Sequence, residues 1–290
     1  MKLLITGANG QLGLALTRRL SAVHDVVTLT RSQLDIADAA ACLEALARVR
    51  PQVLLNAAAY TAVDRAETEA AAAFAINAEG PQNLAQACSE LGIFPIHFST
   101  DYVFDGTATV PYAEQSETHP TSVYGRSKLV GETAVATVSP AHLIFRLSWV
   151  YGNDCANFYK TMLRLCSERA LLRVVADQWG VPNYTVDIAD AIARVLELSS
   201  AELVACSGLY HLSGTGATSW CDFARAIIDG ANQSSRVTVE AISTADYKTA
   251  ATRPAYSVLD ASRFAATFCH ATPDWRDGLR RCLASRILSA

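Results

Sequence analysis

Long uninterrupted apolar runs are missing from this chain, although 51% of its 290 residues are hydrophobic. Charges break each apolar stretch well before membrane-spanning length, which excludes a helical membrane protein. The first residues enter a strand pattern with no signal-peptide pattern ahead of it, so a cytoplasmic location is expected. Basic tracts are missing too: 24 basic and 28 acidic residues leave a net charge of −4. Neither a nucleic acid nor a membrane is expected as a partner. The eight cysteines (Cys42, Cys88, Cys155, Cys166, Cys206, Cys221, Cys269 and Cys282) form no Cys-x-x-Cys pair and adjoin no His cluster. Reduced core thiols are therefore expected in place of disulfides or a metal site. The chain shows no low-complexity linker or internal repeat, and its length suffices for two lobes.

Lysine is scarce. Lys2, Lys128, Lys160 and Lys248 are the four among the 24 basic residues, and a lysine kept where arginine is the habit suggests a need for a compact point charge. Lys128 stands four residues after Tyr124 in Tyr124-Gly125-Arg126-Ser127-Lys128. On a helix that spacing puts both side chains on one face, and a nearby ammonium draws a phenol's pKa toward the working pH. Tyr124 thereby becomes a candidate proton donor or acceptor.

A chance Tyr-x-x-x-Lys on an exposed helix would look the same, and a glycine motif upstream separates the two readings. Lys2-Leu3-Leu4-Ile5-Thr6 is a short buried-strand pattern, followed by Gly7-Ala8-Asn9-Gly10-Gln11-Leu12-Gly13 and a helix with Leu12, Ala15, Leu16 and Leu20 on one face. Strand, glycine turn and helix in that order form a dinucleotide-binding unit, in which the helix N-terminus offers free N–H groups to a pyrophosphate. Further strands are expected at 26–29, 53–58, 94–99 and 142–147, with helices at 39–49, 64–91 and across Lys128. Continuous apolar strands alternating with helices predict an α/β fold with a Rossmann-type doubly wound parallel sheet. Ligands of such sheets bind beyond the carboxyl ends of the strands, where Gly7, Ala58 to Thr61, Thr100 and Trp149 fall.

The combination of Gly7-x-x-Gly10-Gln11-Leu12-Gly13, Asn56-Ala57-Ala58-Ala59-Tyr60-Thr61-Ala62-Val63-Asp64, Ser99-Thr100-Asp101-Tyr102-Val103-Phe104-Asp105-Gly106 and Tyr124-Gly125-x-Ser127-Lys128-x-x-Gly131-Glu132 resembles the dTDP-4-dehydrorhamnose reductases, a family of extended short-chain dehydrogenase/reductases. The resemblance continues in order through Arg146 to Gly152, Asn157-Phe158, Asp177 to Pro182, Gly208 to Leu212 and Arg253-Pro254. It implies NADPH-dependent reduction, with NADH also usable, of the C4 ketone of a dTDP-linked 4-dehydro-6-deoxy sugar. Tyr124, Lys128 and Thr100 would be catalytic. Gly7, Gly10, Gln11, Leu12 and Gly13 would line the pyrophosphate; Asp35 and Ile36 would meet the adenine; Ala59, Tyr60 and Thr61 would lie on the cofactor side. Thr100, Asp101 and Trp149 would contact substrate, the indole covering the less polar face of the sugar. Asn77 is open between ordering the site through its amide and bending or capping a helix.

The fold that the resemblance implies has a dinucleotide-binding domain over 1–150, to which the chain returns near 181–205, and a substrate-binding domain from 151–180 and 206–290. Ser219-Trp220-Cys221-Asp222 reads as a helix start or a surface turn. Asn183 stands where the family usually has threonine. Some family members are described as magnesium-dependent through a glutamate in the first helix, but Ala15 stands there, so no metal is expected. Thr30-Arg31-Ser32 occupies the end of the second strand in place of an acidic residue, which favours a 2′-phosphate and so NADPH. A homodimer is neither required nor excluded by the sequence. A related sugar-nucleotide reductase or epimerase, and a non-catalytic subunit like the regulatory subunit of methionine adenosyltransferase, are the other readings.

Overall fold

The computed structural model describes residues 1–287. The first part alternates strand and helix: β1 (Lys2–Thr6), α1 (Gln11–Leu20), β2 (Asp25–Leu29), α2 (Ala39–Val49), β3 (Val53–Asn56), α3 (Val63–Ala66), α4 (Ala70–Phe74), a π-helical turn (Ala75–Glu79), α5 (Gly80–Leu91), β4 (Phe94–Thr100), α6 (Val123–Val138) and β5 (Leu143–Leu147). The remainder supplies β6 (Val150–Tyr151), α7 (Phe158–Glu168), β7 (Leu171–Val175), β8 (Trp179–Gly180), β9 (Asn183–Tyr184), α8 (Thr185–Val195), α9 (Ser200–Ala205), β10 (Gly208–His211), β11 (Thr218–Ser219), α10 (Trp220–Gly230), β12 (Thr238–Ile242), α11 (Ser262–Phe268) and α12 (Trp275–Ile287). Among the described residues, no helix is long and apolar enough to cross a membrane.

One parallel sheet has the order β10-β5-β4-β3-β1-β2. Alternate strand residues feed opposite faces. Leu3, Ile5, Leu55, Phe98 and Phe145 pack beneath α1 and α8 residues such as Leu16, Ile188 and Ile192. Leu4 and Leu54 face Leu46, Leu84 and Cys88 of α2 and α5. The smaller lobe has its own core around Tyr151, Tyr159, Phe223, Ile227 and Trp275.

Local chemistry sets the element ends. Asp38 caps α2 by accepting from Ala41 N, and Arg50 closes it in the left-handed region just before Pro51. The third strand stops at Asn56, two residues short of expectation, because Asn56 Oδ1 accepts from Ala58 N at 3.2 Å and turns the chain. The helix expected over 64–91 is broken into α3, α4, the π-helical turn and α5. Pro81 has no N–H for the Asn77 carbonyl four residues back, and the ladder widens there.

The return to the first lobe is longer than 181–205. β10 pairs with β5 as the edge strand, and Phe264 and Phe268 of α11 pack on Phe145 and Tyr210. Residues 208–211 and 262–268 thus belong with the large sheet, not with the smaller lobe in which the sequence reading placed 206–290. Four residues of β10 are too short a pattern to be recognised without their partner strand.

A buried ion pair joins α6 to β5: Arg146 Nε and Nη2 donate to the two carboxylate oxygens of Glu132 at 2.9 and 2.7 Å, with both side chains about 5% exposed or less. Removing one partner would strand a charge in the interior. Glu132→Ala is expected to lower the unfolding free energy by about 3–5 kcal/mol. Breaking the exposed Arg164–Glu168 pair with Arg164→Ala should cost less than about 1 kcal/mol. Equal losses in denaturant unfolding would remove this ranking.

Candidate active site

The carboxyl ends of β1, β2 and β3 open onto a cleft of about 580 Å³. Gly7, Gly10, Arg31, Asp35, Ile36, Ala59, Tyr60 and Thr61 all line it. Gly7 has φ +65°, and a Cβ there would lie 2.5 Å from Ala58 N, so both the turn and the strand contact need glycine. Gly13 lets α1 close on the loop, since its Cβ would be 2.3 Å from the Gly7 carbonyl oxygen. Gly10 precedes α1 without a side-chain cap, which keeps the first helical N–H groups available to an anion. Gln11, Leu12 and Gly13 lie in that first turn. The Gln11 side chain accepts from Asn157 Nδ2 at 2.7 Å, and Leu12 packs on the core. Both side chains are thus engaged away from the cleft.

Arg31 is exposed and makes no ion pair among the described residues. The hydroxyls of Thr30 and Ser32 lie 3.0 Å apart beside it in sequence. Arg65, by contrast, is tied to Glu69, which also accepts from the Tyr60 hydroxyl.

At the end of β4, Thr100 Oγ1 donates to Asp101 Oδ1 at 3.0 Å and accepts from Tyr102 N. Ser122 caps α6 by accepting from Gly125 N, and this sets Tyr124 in the first turn and Lys128 one turn later. The Tyr124 ring meets Tyr102 edge-on at 5.5 Å. Burial raises the Tyr124 pKa well above the ordinary phenol value, against the Thr100 hydroxyl, which favours the phenolate. Lys128 does not draw it down as the spacing suggested. Its Nζ donates to the Phe98 carbonyl at 2.6 Å, and burial lowers its own pKa to about 8.

Of the roles open to it, Asn77 takes the ordering one, its amide bonding Tyr60 and Ser127 and capping no helix. It sits in the π-helical turn, fully buried, where Oδ1 accepts from Tyr60 N (2.8 Å) and Nδ2 donates to Tyr60 O and Ser127 Oγ (both 3.0 Å). The cofactor-side strand end and α6 are thereby fixed to one another.

Trp149 has φ +43°, a left-handed conformation costly for a bulky residue. Its indole lies flat on Trp220 (centroids 3.5 Å, planes 6° apart), with Gly180 against its other side. Ser219 does start a helix, accepting from Asp222 N, and that helix delivers Trp220. Asn183, in place of the family threonine, donates to the Ser148 carbonyl at 2.7 Å and accepts from Gly214 N at 2.7 Å. Two partners escaped sequence reasoning. Arg253 reaches Asp64 at 2.9 Å and so bridges the lobes beside Tyr102. His97 lies 3.3 Å from Lys128 Nζ, and its signal was a polar residue inside an apolar strand. Among the described residues, no group of three or more His, Cys, Asp or Glu side chains could hold a metal ion.

Asp101 is 2% exposed, and burial raises its pKa from 3.8 to about 6 despite the Thr100 hydroxyl. Protons are then bound more tightly by the folded state, so its burial costs nothing below about pH 4 and the full amount above about pH 6, on the order of 3 kcal/mol. A residue kept at such a cost in a site is a candidate for ligand contact. Asp101→Asn should gain stability relative to the parent as pH rises from 4 to 6, read from denaturant unfolding at several pH values. A stability difference independent of pH would overturn this.

Comparison with known proteins agrees with the geometry. Residues 1–287 match the family model described as the RmlD substrate binding domain. The chain is 43% identical to the dTDP-4-dehydrorhamnose reductase of Sinorhizobium fredii, over 99% of this chain and 98% of that one. It is 39% identical to the Salmonella typhimurium protein of the same name, over 98% and 97%. The solved dTDP-4-dehydrorhamnose reductase of Bacillus anthracis, in complex with NADP, aligns with a TM-score of 0.93 at 37% identity over 98% of this chain and 99% of that one. A Thermus thermophilus UDP-glucose 4-epimerase, 18% identical over 98% of each chain with a TM-score of 0.80, shares the fold alone. With the glycine cleft, the Thr100, Tyr124 and Lys128 cluster and these chain-long matches in agreement, the protein belongs to the dTDP-4-dehydrorhamnose reductase family.

Proposed function

We propose that the protein reduces the C4 ketone of dTDP-4-dehydro-L-rhamnose to dTDP-L-rhamnose with NADPH, the final step in making that sugar nucleotide. The Thr100 hydroxyl bonded to Tyr124 at the end of β4, with Lys128 Nζ on the Phe98 carbonyl of the same strand, carries this reading. When bound, the reduced nicotinamide supplies hydride to a ketone carbon. The chain's part is to bind, orient and supply a proton. Thr100 Oγ1 can turn from Asp101 to the ketone oxygen as charge grows there. Tyr124 carries its proton at neutral pH, given the direction of its pKa shift, and gives it to that oxygen as general acid. Lys128 holds the ribose hydroxyls on the cofactor side. Asp101 and Trp149 contact the sugar, the indole through the edge that Trp220 and Gly180 leave uncovered.

Arg31, unpaired at the cleft, favours the 2′-phosphate of NADPH. Ala15 is buried on the inner face of α1, where a methyl group offers a cation nothing.

Purified protein given dTDP-4-dehydro-L-rhamnose should oxidise NADPH and form dTDP-L-rhamnose, with most activity kept in EDTA. No turnover with tight NADPH binding would point instead to a binding subunit. Tyr124→Phe should fold and bind NADPH yet lose roughly a hundred- to ten-thousand-fold in turnover. Near-parental turnover in that variant would dismiss Tyr124 as the acid. Arg31→Ala should lower kcat/KM for NADPH more than for NADH; an unchanged ratio would remove Arg31 from the site.

A further inference from the structure

A row of buried polar side chains crosses the sheet beneath the site and ends at Lys128. Thr6, Asn56 and His97 are register neighbours on β1, β3 and β4, each 3% exposed or less. Thr6 Oγ1 donates to Asn56 Oδ1 at 2.8 Å, and Ala58 N donates to the same oxygen at 3.2 Å. A backbone N–H can only donate, so the orientation of the Asn56 amide is fixed, and its Nδ2 faces His97 Nδ1 at 3.1 Å. His97 Nδ1 must then accept. The neutral imidazole therefore carries its proton on Nε2, the atom 3.3 Å from Lys128 Nζ.

An ammonium at that place would meet N–H with N–H. An amine has a lone pair for the His97 Nε2 proton and still donates to the Phe98 carbonyl. We propose that Asn56 and His97 form a tautomer lock that holds Lys128 toward its neutral amine in the cofactor-free protein, His97 acting as a positioning residue for the lysine. The inference rests on the reading of Lys128 given under Proposed function for its relevance to turnover, though not for its geometry.

The groups around Lys128 divide clearly. On α6 itself, Glu132 favours the ammonium but is bonded to Arg146 of β5, and Tyr124 is protonated. On the turn after β4 stand Asp101 and Tyr102. Glu67, at the end of α3, accepts from Val123 N. Glu69, before α4, is held by Tyr60 and Arg65. Glu79 of the π-helical turn and Glu90 of α5 are exposed. His97, kept neutral by burial, is the one of these in hydrogen-bonding range of Nζ. The low Lys128 pKa, about 8 from burial, has the same direction.

With four lysines and six histidines, direct observation by nuclear magnetic resonance is practical. In full-length protein carrying ¹³Cε-lysine, Lys128 should titrate near pH 8, separately from an ordinary lysine at roughly 10.4. The imidazole ¹⁵N shifts of His97 should report a neutral ring with Nε2 protonated. In Asn56→Asp, a carboxylate at the same place would accept from Nδ1–H, turn a lone pair toward Lys128 and raise its midpoint by about one pH unit or more. A parental His97 protonated on Nδ1, a Lys128 that titrates with the other lysines, or a folded Asn56→Asp with an unmoved midpoint would each overturn the lock. The first two measurements need no variant to fold. A depressed Lys128 midpoint in a protein that turns over no dTDP sugar would sustain the lock and fail the functional reading alone.

Discussion

The position of the site depends on how closely α6 lies against the π-helical turn. Gly131 permits it: a Cβ there would stand 2.1 Å from the Asn77 carbonyl oxygen, so any larger residue would lift the helix. With the helix down, Asn77 Nδ2 reaches Ser127 Oγ, and Ser127 in turn donates to the Tyr124 carbonyl at 2.8 Å. The same amide holds both backbone groups of Tyr60 at the mouth of the glycine cleft. One side chain thus fixes the distance between the nucleotide side and the proton-transfer side. The widened helical turn is what points that amide inward, consistent with the frequent use of π turns at functional sites.

Much of this was legible in sequence because the signals were local. A glycine turn between an apolar strand and an amphipathic helix identifies itself within a dozen residues, and the Tyr124 and Lys128 spacing within five. Arg31, Asp35 and Ala59 to Thr61 reach one cleft because they follow strands whose order the fold class dictates. What was not legible depends on register or on distant partners. Asn56 and His97 are ordinary strand residues until β3 and β4 are laid side by side. Trp149 gives no hint of a stack with Trp220, since the turn after β5 and the start of α10 bring the rings together. The expected effect of Lys128 on Tyr124 failed because spacing says which side chains share a face, not where a flexible amine finds its acceptor.

The buried polar groups divide into those that stabilise and those that strain. Glu132 and Arg146 are paired through two hydrogen bonds, and their partnership anchors α6 to β5. Asp101, Lys128 and the left-handed Trp149 are held in less favourable states, all at the carboxyl ends of strands or on the helix facing them. Such states persist only where surrounding structure over-determines them. Here the surroundings are the Asn77 network, the Ser122 cap and the bridge from Arg253 to Asp64.

The interleaving of the lobes bears on how the chain is made. The edge of the large sheet at β5 is covered by β10, and the aromatic core beneath it is completed by α11. A ribosome that has delivered the first five strands has therefore delivered an open-edged sheet with Phe145 unpacked, and closure waits until residue 268 has emerged. During that interval the nascent chain presents unpaired strand backbone and bare aromatic surface, the combination that chaperones bind and neighbouring chains can join.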